Sequence, residues 1–225
     1  MEIEVTPGVS EPRPQPGFLA GFNELLTRPL GLLERARGGR DTSPPRLLAG
    51  SVVAYALYGA AAGFFQGGDQ IAVAALKAPL VILFALLLCL PSLYVFSAVG
   101  GAEWTRRTFP AVVAGFAGTL ALVLLALLPI NWLFSMTSKR LGSAVFLQFV
   151  LWFLALILAW RFLGQSLRAV GGRGALILWL FLFCIVSLQT ATFLRPILER
   201  KDGAPLFVSG KKSFLEHFGD TLDID

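Results

Sequence analysis

Charged residues are scarce in this sequence of 225 residues. Asp, Glu, Lys and Arg make up 15% of the chain, whereas hydrophobic residues make up 56%, and the mean hydropathy is +0.71. Soluble domains carry about 25% charged residues. This deficit argues against an ordinary soluble domain and favours a membrane protein.

Residues that commonly carry catalysis or hold metals are equally scarce. The single histidine is His217, and the two cysteines, Cys89 and Cys184, each lie within an apolar run. Histidine ligation of a haem inside a membrane is therefore excluded, and neither a disulfide framework nor a cysteine metal site is expected. The motifs of nucleotide hydrolases, serine hydrolases and zinc proteases are also missing. We therefore expect a protein that is not an enzyme and that has no cofactor and no metal.

Five long apolar runs dominate what the sequence does contain. They cover residues 47–68, 78–102, 110–130, 141–160 and 174–194, and none of them includes Asp, Glu or His. About 20 mostly apolar residues are enough for a helix to cross a membrane. A proton-coupled transporter would usually place a titratable group within its spans. The sequence therefore predicts an all-α membrane protein with five transmembrane helices in residues 47–194.

The segments that flank these runs have a different character. Residues 1–16 are rich in proline and are predicted to be disordered. In residues 17–46, apolar side chains recur at helical spacing and Pro29 predicts a break. We expect interfacial amphipathic helices there, which lie either on the membrane surface or against the underside of the bundle. Residues 195–225 are predicted to form an extramembrane C-terminal tail.

The positions of Lys and Arg predict the orientation of the chain in the membrane. Most of the loops and flanks that carry several cations fall on one side when the N-terminus is cytoplasmic. Five spans then put the C-terminus on the opposite side. Because the cations stand beside spans rather than in a known nucleic-acid-binding module, no nucleic-acid partner is expected. The expected partners are membrane lipids and either other membrane proteins or further copies of the chain.

Small residues in the first run predict a close contact between helices. Gly59, Gly63 and Gly67 recur every four residues and form a small-xxx-small face. Packing against another span of the same chain is the commoner use of such a face, and dimerisation is the alternative. Gly115 and Gly118 give the third run a similar surface.

The positions of the prolines indicate where the expected transmembrane helices bend or end. Pro91 interrupts the second run and predicts a kink. The segment before Pro79 is predicted to lie along the membrane surface, and Pro129 is predicted to terminate the third span. Residues 161–173 are predicted to be a loop between the fourth and fifth spans.

Polar and aromatic positions complete the set of candidate contact residues. Gln148 and Gln189 lie in the fourth and fifth runs, where an amide is costly against lipid, so Gln189 is expected to face the bundle or the headgroups. A contact between the two amides that joins the spans is one hypothesis, and a small polar site is the alternative. In the tail, Phe214, Leu215 and Phe218 share one side of a short predicted helix. These three residues are expected to pack on the ends of the spans or to hold a partner.

Several segments resemble known membrane proteins. The opening of the Yip family resembles the stretch LLTRPLGLLERARGGR together with the later stretch LLAGSVVAYALYGAAAG. An uncharacterised bacterial group, whose members end in an Arg-Pro and a Phe-rich C-terminal tail, is similar in two other segments, LKAPLVILFALLLCLPSLYVFSAVGG and LRPILERKDGAPLFVSGKKSFLEHF. The resemblance covers about residues 24–218. It implies a cytosolic N-terminal part, five spans, a bacterial cytoplasmic membrane location and a role in binding partners.

Two functions remain open from the sequence. The first is a non-enzymatic scaffold or subunit of a larger membrane complex, which binds partners through its spans and tails. The second is a permease or channel-like subunit that moves a small solute or lipid. The second depends on Pro91, on Lys77 and on the polar residues that end the fifth run.

Overall fold

The computed structural model describes residues 20–39, 44–64, 70–137, 141–172 and 176–193, and these residues form seven helices without a strand. In chain order the helices are α1 (Ala20–Thr27), α2 (Gly31–Arg37), α3 (Pro44–Gly63), α4 (Gln70–Val99), α5 (Thr108–Thr137), α6 (Leu141–Ala169) and α7 (Leu176–Phe193). The fold is therefore all-helical over the described part of the chain, as the sequence predicts.

Three of these helices contain segments long and apolar enough to cross a membrane. The segments are Ile71–Val99, Thr108–Phe134 and Phe146–Ala169. A helix rises about 1.5 Å per residue, so each segment exceeds the roughly 30 Å of a hydrocarbon core. A shorter apolar segment, Leu176–Thr190, belongs to α7.

The long helices continue where the sequence predicts breaks. Pro79 and Pro91 both lie inside α4, so the segment before Pro79 is part of the helix rather than a separate stretch along the membrane surface. Pro129 lies inside α5, which continues to Thr137, so the prediction that it ends the helix was wrong. A proline costs its helix one backbone hydrogen bond, and packing against neighbouring helices offsets that loss.

The last turns of α6 replace a predicted loop. Residues 161–169 are helical, with Phe162, Leu163 and Leu167 buried and Arg161 and Arg168 exposed. This spacing is that of an amphipathic helix, in which the apolar stripe packs on the bundle and the cations face outward. Helix α6 therefore continues past Arg161 to Ala169.

Helix α5 occupies the centre of the bundle. It packs against α3 and α6 along their lengths and against α1 and α2 near its own start, while α3 also packs on α4, and α4 packs on α7. Phe116 of α5 contacts Trp179 and Phe183 of α7 edge to face, with ring centroids 5.5 and 5.7 Å apart. The buried aromatic rings fix the position of α7 on the bundle.

Helices α1 and α2 pack on the bundle. Phe22 and Leu25 of α1 and Leu32 and Leu33 of α2 are buried, whereas Leu26 is 69% exposed. Of the two placements that the sequence left open, the described contacts are those of helices packed against the other helices. Pro29 lies in the turn between α1 and α2, which agrees with the predicted break.

Candidate functional site: helix contacts and the arginine-rich end

Gly59 marks the closest approach between α3 and α4. A Cβ atom added at this glycine would lie 2.3 Å from the carbonyl oxygen of Ala74 and 2.7 Å from the Cβ of Ala78. The backbone of α4 therefore passes directly over Gly59, as a small-residue face allows. Gly63 is also buried in α3, and Gly67 lies outside the described residues. Gly59 thus serves packing within the chain.

The glycines of α5 make two further close contacts. A Cβ at Gly115 would lie 2.4 Å from the ring of Phe162 in α6. A Cβ at Gly118 would lie 2.7 Å from Leu25 of α1 and 3.1 Å from Leu47 of α3. Small residues on α5 therefore let a ring from one helix and leucines from two others reach its backbone.

Three polar side chains bind backbone carbonyls of neighbouring helices. The Tyr55 hydroxyl donates a hydrogen bond of 2.6 Å to the carbonyl of Ala117, and both groups are buried. The indole N–H of Trp179 donates one of 3.0 Å to the carbonyl of Cys89. The Asn131 amide lies 3.5 Å from the carbonyl of Tyr58 and completes the set. These bonds tie α3 to α5 and α7 to α4.

The sequence analysis did not select Tyr55, Trp179 or Asn131 as site residues. The sequence could have indicated Tyr55 and Trp179, because a tyrosine or tryptophan buried in an apolar run needs a hydrogen-bond acceptor for its O–H or N–H. The sequence does not say which carbonyl supplies that acceptor, since the partners are 62 to 90 residues away along the chain.

Pro91 lies on the exposed side of α4, two residues after Cys89, whose carbonyl accepts two side-chain hydrogen bonds. Because proline has no N–H, the carbonyl four residues earlier, that of Leu87, lacks its usual helical donor. The Ser92 hydroxyl donates a hydrogen bond of 2.8 Å to the carbonyl of Cys89, and the Trp179 indole donates to the same carbonyl. The region around Pro91 is thus joined to α7 while α4 remains helical.

Gln148 and Gln189 have different neighbours. Gln148 is half-buried and lies beside the hydroxyl of Tyr58, which is itself buried without a hydrogen bond of regular geometry. Gln189 is exposed on α7. Within the described part of the chain, no hydrogen bond joins the two amides, so the predicted contact between them is not seen. Gln148 faces α3 instead.

Most cations gather at one end of the bundle, which we call the arginine-rich end. Lys77 aside, every Lys and Arg in the described part of the chain lies at this end, which includes the last turns of α6. The arginine-rich end comprises the eight residues Arg28, Arg35, Arg37, Arg46, Arg106, Arg107, Arg161 and Arg168.

Hydrogen bonds between distant segments hold the arginine-rich end together. The guanidinium of Arg37 binds the carbonyl of Ala169, and that of Arg107 binds the carbonyl of Gly39 at 2.7 Å. The backbone N–H of Glu103 donates to the carbonyl of Val170 at 3.1 Å. The ends of α2, α4 and α6 and the start of α5 therefore meet at one place.

Two glycines with positive φ make that meeting possible. Gly101 follows α4 with φ of 89° and Gly171 follows α6 with φ of 84°. Such left-handed residues commonly end helices, and glycine adopts the conformation without strain. A Cβ on either one would lie 3.6 to 3.7 Å from the carbonyl oxygen of the other. The two helix ends therefore face each other across a pair of glycine turns.

An ion pair links α1 to α2. The Arg35 guanidinium lies 2.9 Å from the Glu24 carboxylate, whose side chain is 11% exposed. Burial raises the pKa of Glu24 above its ordinary value, and the nearby Arg35 and Arg28 charges partly oppose that rise. The carboxylate thus sits in a place where desolvation outweighs the attraction of the arginines.

Two clefts open at or near the arginine-rich end. One, of about 750 Å³, lies among Arg37, Glu103, Trp104 and the turn that follows α6. The other, of about 1020 Å³, lies between the last turns of α6 and the first turns of α7. The described residues contain no group of three or more His, Cys, Asp or Glu that could hold a metal.

The tail residues that the sequence selected cannot be placed. Phe214, Leu215 and Phe218 lie outside the described residues, so their contacts stay a prediction. Comparisons with family models, curated proteins and solved structures give no match for this chain.

Proposed function

We propose that this chain is a five-span integral membrane protein that acts as a non-enzymatic scaffold or subunit of a larger membrane complex. In this proposal α3 and α7 cross the membrane together with α4, α5 and α6. Their lengths of 20 and 18 residues support this, because 18 residues of helix extend about 27 Å. Their packing alongside α4 and α5 supports it as well.

The observation that carries the proposal is the packing at the centre of the bundle. Side chains of neighbouring helices reach the backbone of α5 at Gly115 and Gly118, and Leu120, Ala121 and Leu124 are fully buried. Among the described residues of α3 to α7, no charged residue is buried. A solute path through a membrane usually exposes polar groups or a broken helix, so this packing favours a structural role over transport.

The arginine-rich end supports a cytoplasmic N-terminus. Cations near spans are enriched on the cytoplasmic side of membrane proteins. Because α1, α2 and the start of α3 all lie at this end, the same orientation places the N-terminus inside and, after five spans, the C-terminus outside. A fluorescent protein fused to the C-terminus should then be dark in the bacterial cytoplasmic membrane, and a bright cytoplasmic signal would overturn this topology.

The tail supplies the partner contact in this proposal. Phe214, Leu215 and Phe218 would pack on a neighbouring membrane protein, as their shared spacing on one helical side suggests. The resemblance to Yip proteins, which bind partners in membranes, is consistent with such a role.

The test is affinity purification from native membranes in mild detergent, followed by quantitative mass spectrometry. We expect stoichiometric partners with the intact chain and their loss when Phe214, Leu215 and Phe218 are all changed to serine. The matched control changes Lys211 and Lys212 to serine in the same tail and should retain the partners. Equal recovery with both variants would contradict the tail contact. Solute movement by the purified chain alone in liposomes, without partners in the membrane, would favour the permease or channel-like subunit instead.

A further inference from the structure

Helices α6 and α7 separate on one side of the bundle and leave a cleft between them. In the described part of the chain, α6 packs on α5 and α7 packs on α4, but α6 and α7 make few contacts with each other. The cleft has a volume of about 1020 Å³ and is lined by residues from the last turns of α6 and the first turns of α7. It belongs to none of the helix contacts that hold the bundle together.

One wall of the cleft is cationic. Arg161, Gln165 and Arg168 are all exposed and follow each other at positions i, i+4 and i+7 of α6, so they share one helix face. The two arginines are about 10 Å apart along the helix axis. Neither guanidinium forms an ion pair with a carboxylate of the described residues. Within the part of the chain that the structure describes, two positive charges therefore face the cleft without a partner of opposite sign.

The opposite wall is apolar. Ile177 and Phe181 of α7 are 72% and 63% exposed, and both line the cleft. Between the walls, a Cβ at Gly164 would meet only the Cδ1 atom of Leu176, at 3.7 Å. The floor is thus open at Gly164, and the cleft offers cations at one edge and hydrocarbon contact along the other.

We propose that this cleft binds a phospholipid with an anionic headgroup. The phosphate would meet Arg161 and Arg168, whose planar guanidinium groups suit phosphate oxygens, and Gln165 would add a neutral hydrogen-bond donor. An acyl chain would lie on Ile177 and Phe181. Basic pockets between membrane helices on the cytoplasmic side commonly bind anionic lipid headgroups. An apolar helix from another protein fits less well, because it would leave both arginines without an anion.

The binding is tested with the full chain purified in mild detergent. Native mass spectrometry measures retention of phosphatidylglycerol against phosphatidylcholine of the same acyl chains. We expect preferential retention of phosphatidylglycerol. Each cation near an anionic lipid contributes roughly fivefold to binding, so the double variant Arg161→Gln and Arg168→Gln should lower the affinity by about 25-fold. The matched control Arg106→Gln, at the same end but outside this cleft, should leave binding unchanged.

A second variant separates the cleft from general surface charge. Gly164→Leu fills the floor and leaves both arginines in place, so it should also weaken phosphatidylglycerol binding. Replacement of both arginines by lysine should retain most of it. The proposal is overturned if the double glutamine variant keeps the preference for phosphatidylglycerol, if Gly164→Leu binds like the wild type, or if phosphatidylcholine binds equally well. Glycerol phosphate should not compete at the same concentration, and full competition would point to a free-phosphate site instead.

Discussion

Replacement of Gly59 by alanine should loosen the contact between α3 and α4. The new Cβ would lie 2.3 Å from the carbonyl oxygen of Ala74, whereas ordinary van der Waals contact begins at 3.4 Å, so the helices must separate locally by about 1 Å. Overpacking of this kind costs about 1–3 kcal/mol. The change also favours the helix by about 0.5–1 kcal/mol, because alanine is a better helix former than glycine. We therefore expect a net loss of about 1–2 kcal/mol in the free energy of unfolding.

The matched control for this prediction is Gly164→Ala. A Cβ at Gly164 finds its nearest neighbour at 3.7 Å, so the same chemical change meets no steric conflict. We expect this variant to be as stable as the parent protein or slightly more stable. Both variants are compared by unfolding titration of the purified protein in mixed micelles. Equal stability of the two alanine variants would refute the close approach of α4 to Gly59.

Two further predictions concern hydrogen bonding and charge. Tyr55→Phe removes the hydrogen bond to the Ala117 carbonyl and should lower the free energy of unfolding by about 0.5–1.5 kcal/mol. The control Tyr94→Phe, at an exposed tyrosine, should have no effect in the same titration. Equal effects of the two variants would contradict the Tyr55 hydrogen bond. Because burial raises the pKa of Glu24 above its ordinary value of 4.5, the folded protein holds this proton more tightly than the unfolded chain does. The free energy of unfolding should therefore fall as the pH rises from about 4.5 through the pKa of folded Glu24. Glu24→Gln should flatten this part of the plot of unfolding free energy against pH. If the variant leaves that plot unchanged, the Glu24 carboxyl is not desolvated.

Much of the helical content was predictable from composition. The apolar runs that contain no Asp, Glu or His, such as 78–102 and 110–130, correspond to helices long enough to cross a membrane. The helix ends were less predictable, because Pro129 and Arg161 look like interruptions when only local sequence is considered. Packing on neighbouring helices supports α5 beyond Pro129, and the buried stripe of α6 continues beside Arg161.

The contacts between helices were also predictable only in part. The small-residue face at Gly59 was predicted, and the structure places it against α4, because a glycine surface signals close approach without naming the partner. A contact between Gln148 and Gln189 was one hypothesis, yet Gln148 lies beside Tyr58 and Gln189 is exposed. Rotation of each helix about its axis decides such pairings, and a sequence with weak amphipathic patterning does not determine that rotation.

By itself, the sequence determined that the chain is rich in helices that are apolar enough to cross a membrane. Its long apolar runs with few charges require hydrogen bonds to be made within each segment, and only a helix does this in hydrocarbon. The tertiary structure decided the rest. It placed α1 and α2 on the bundle, directed Tyr55 and Trp179 to carbonyls on other helices, and gathered distant arginines at one end. Such choices depend on side-chain shape over long sequence separations, which local hydrophobicity does not encode.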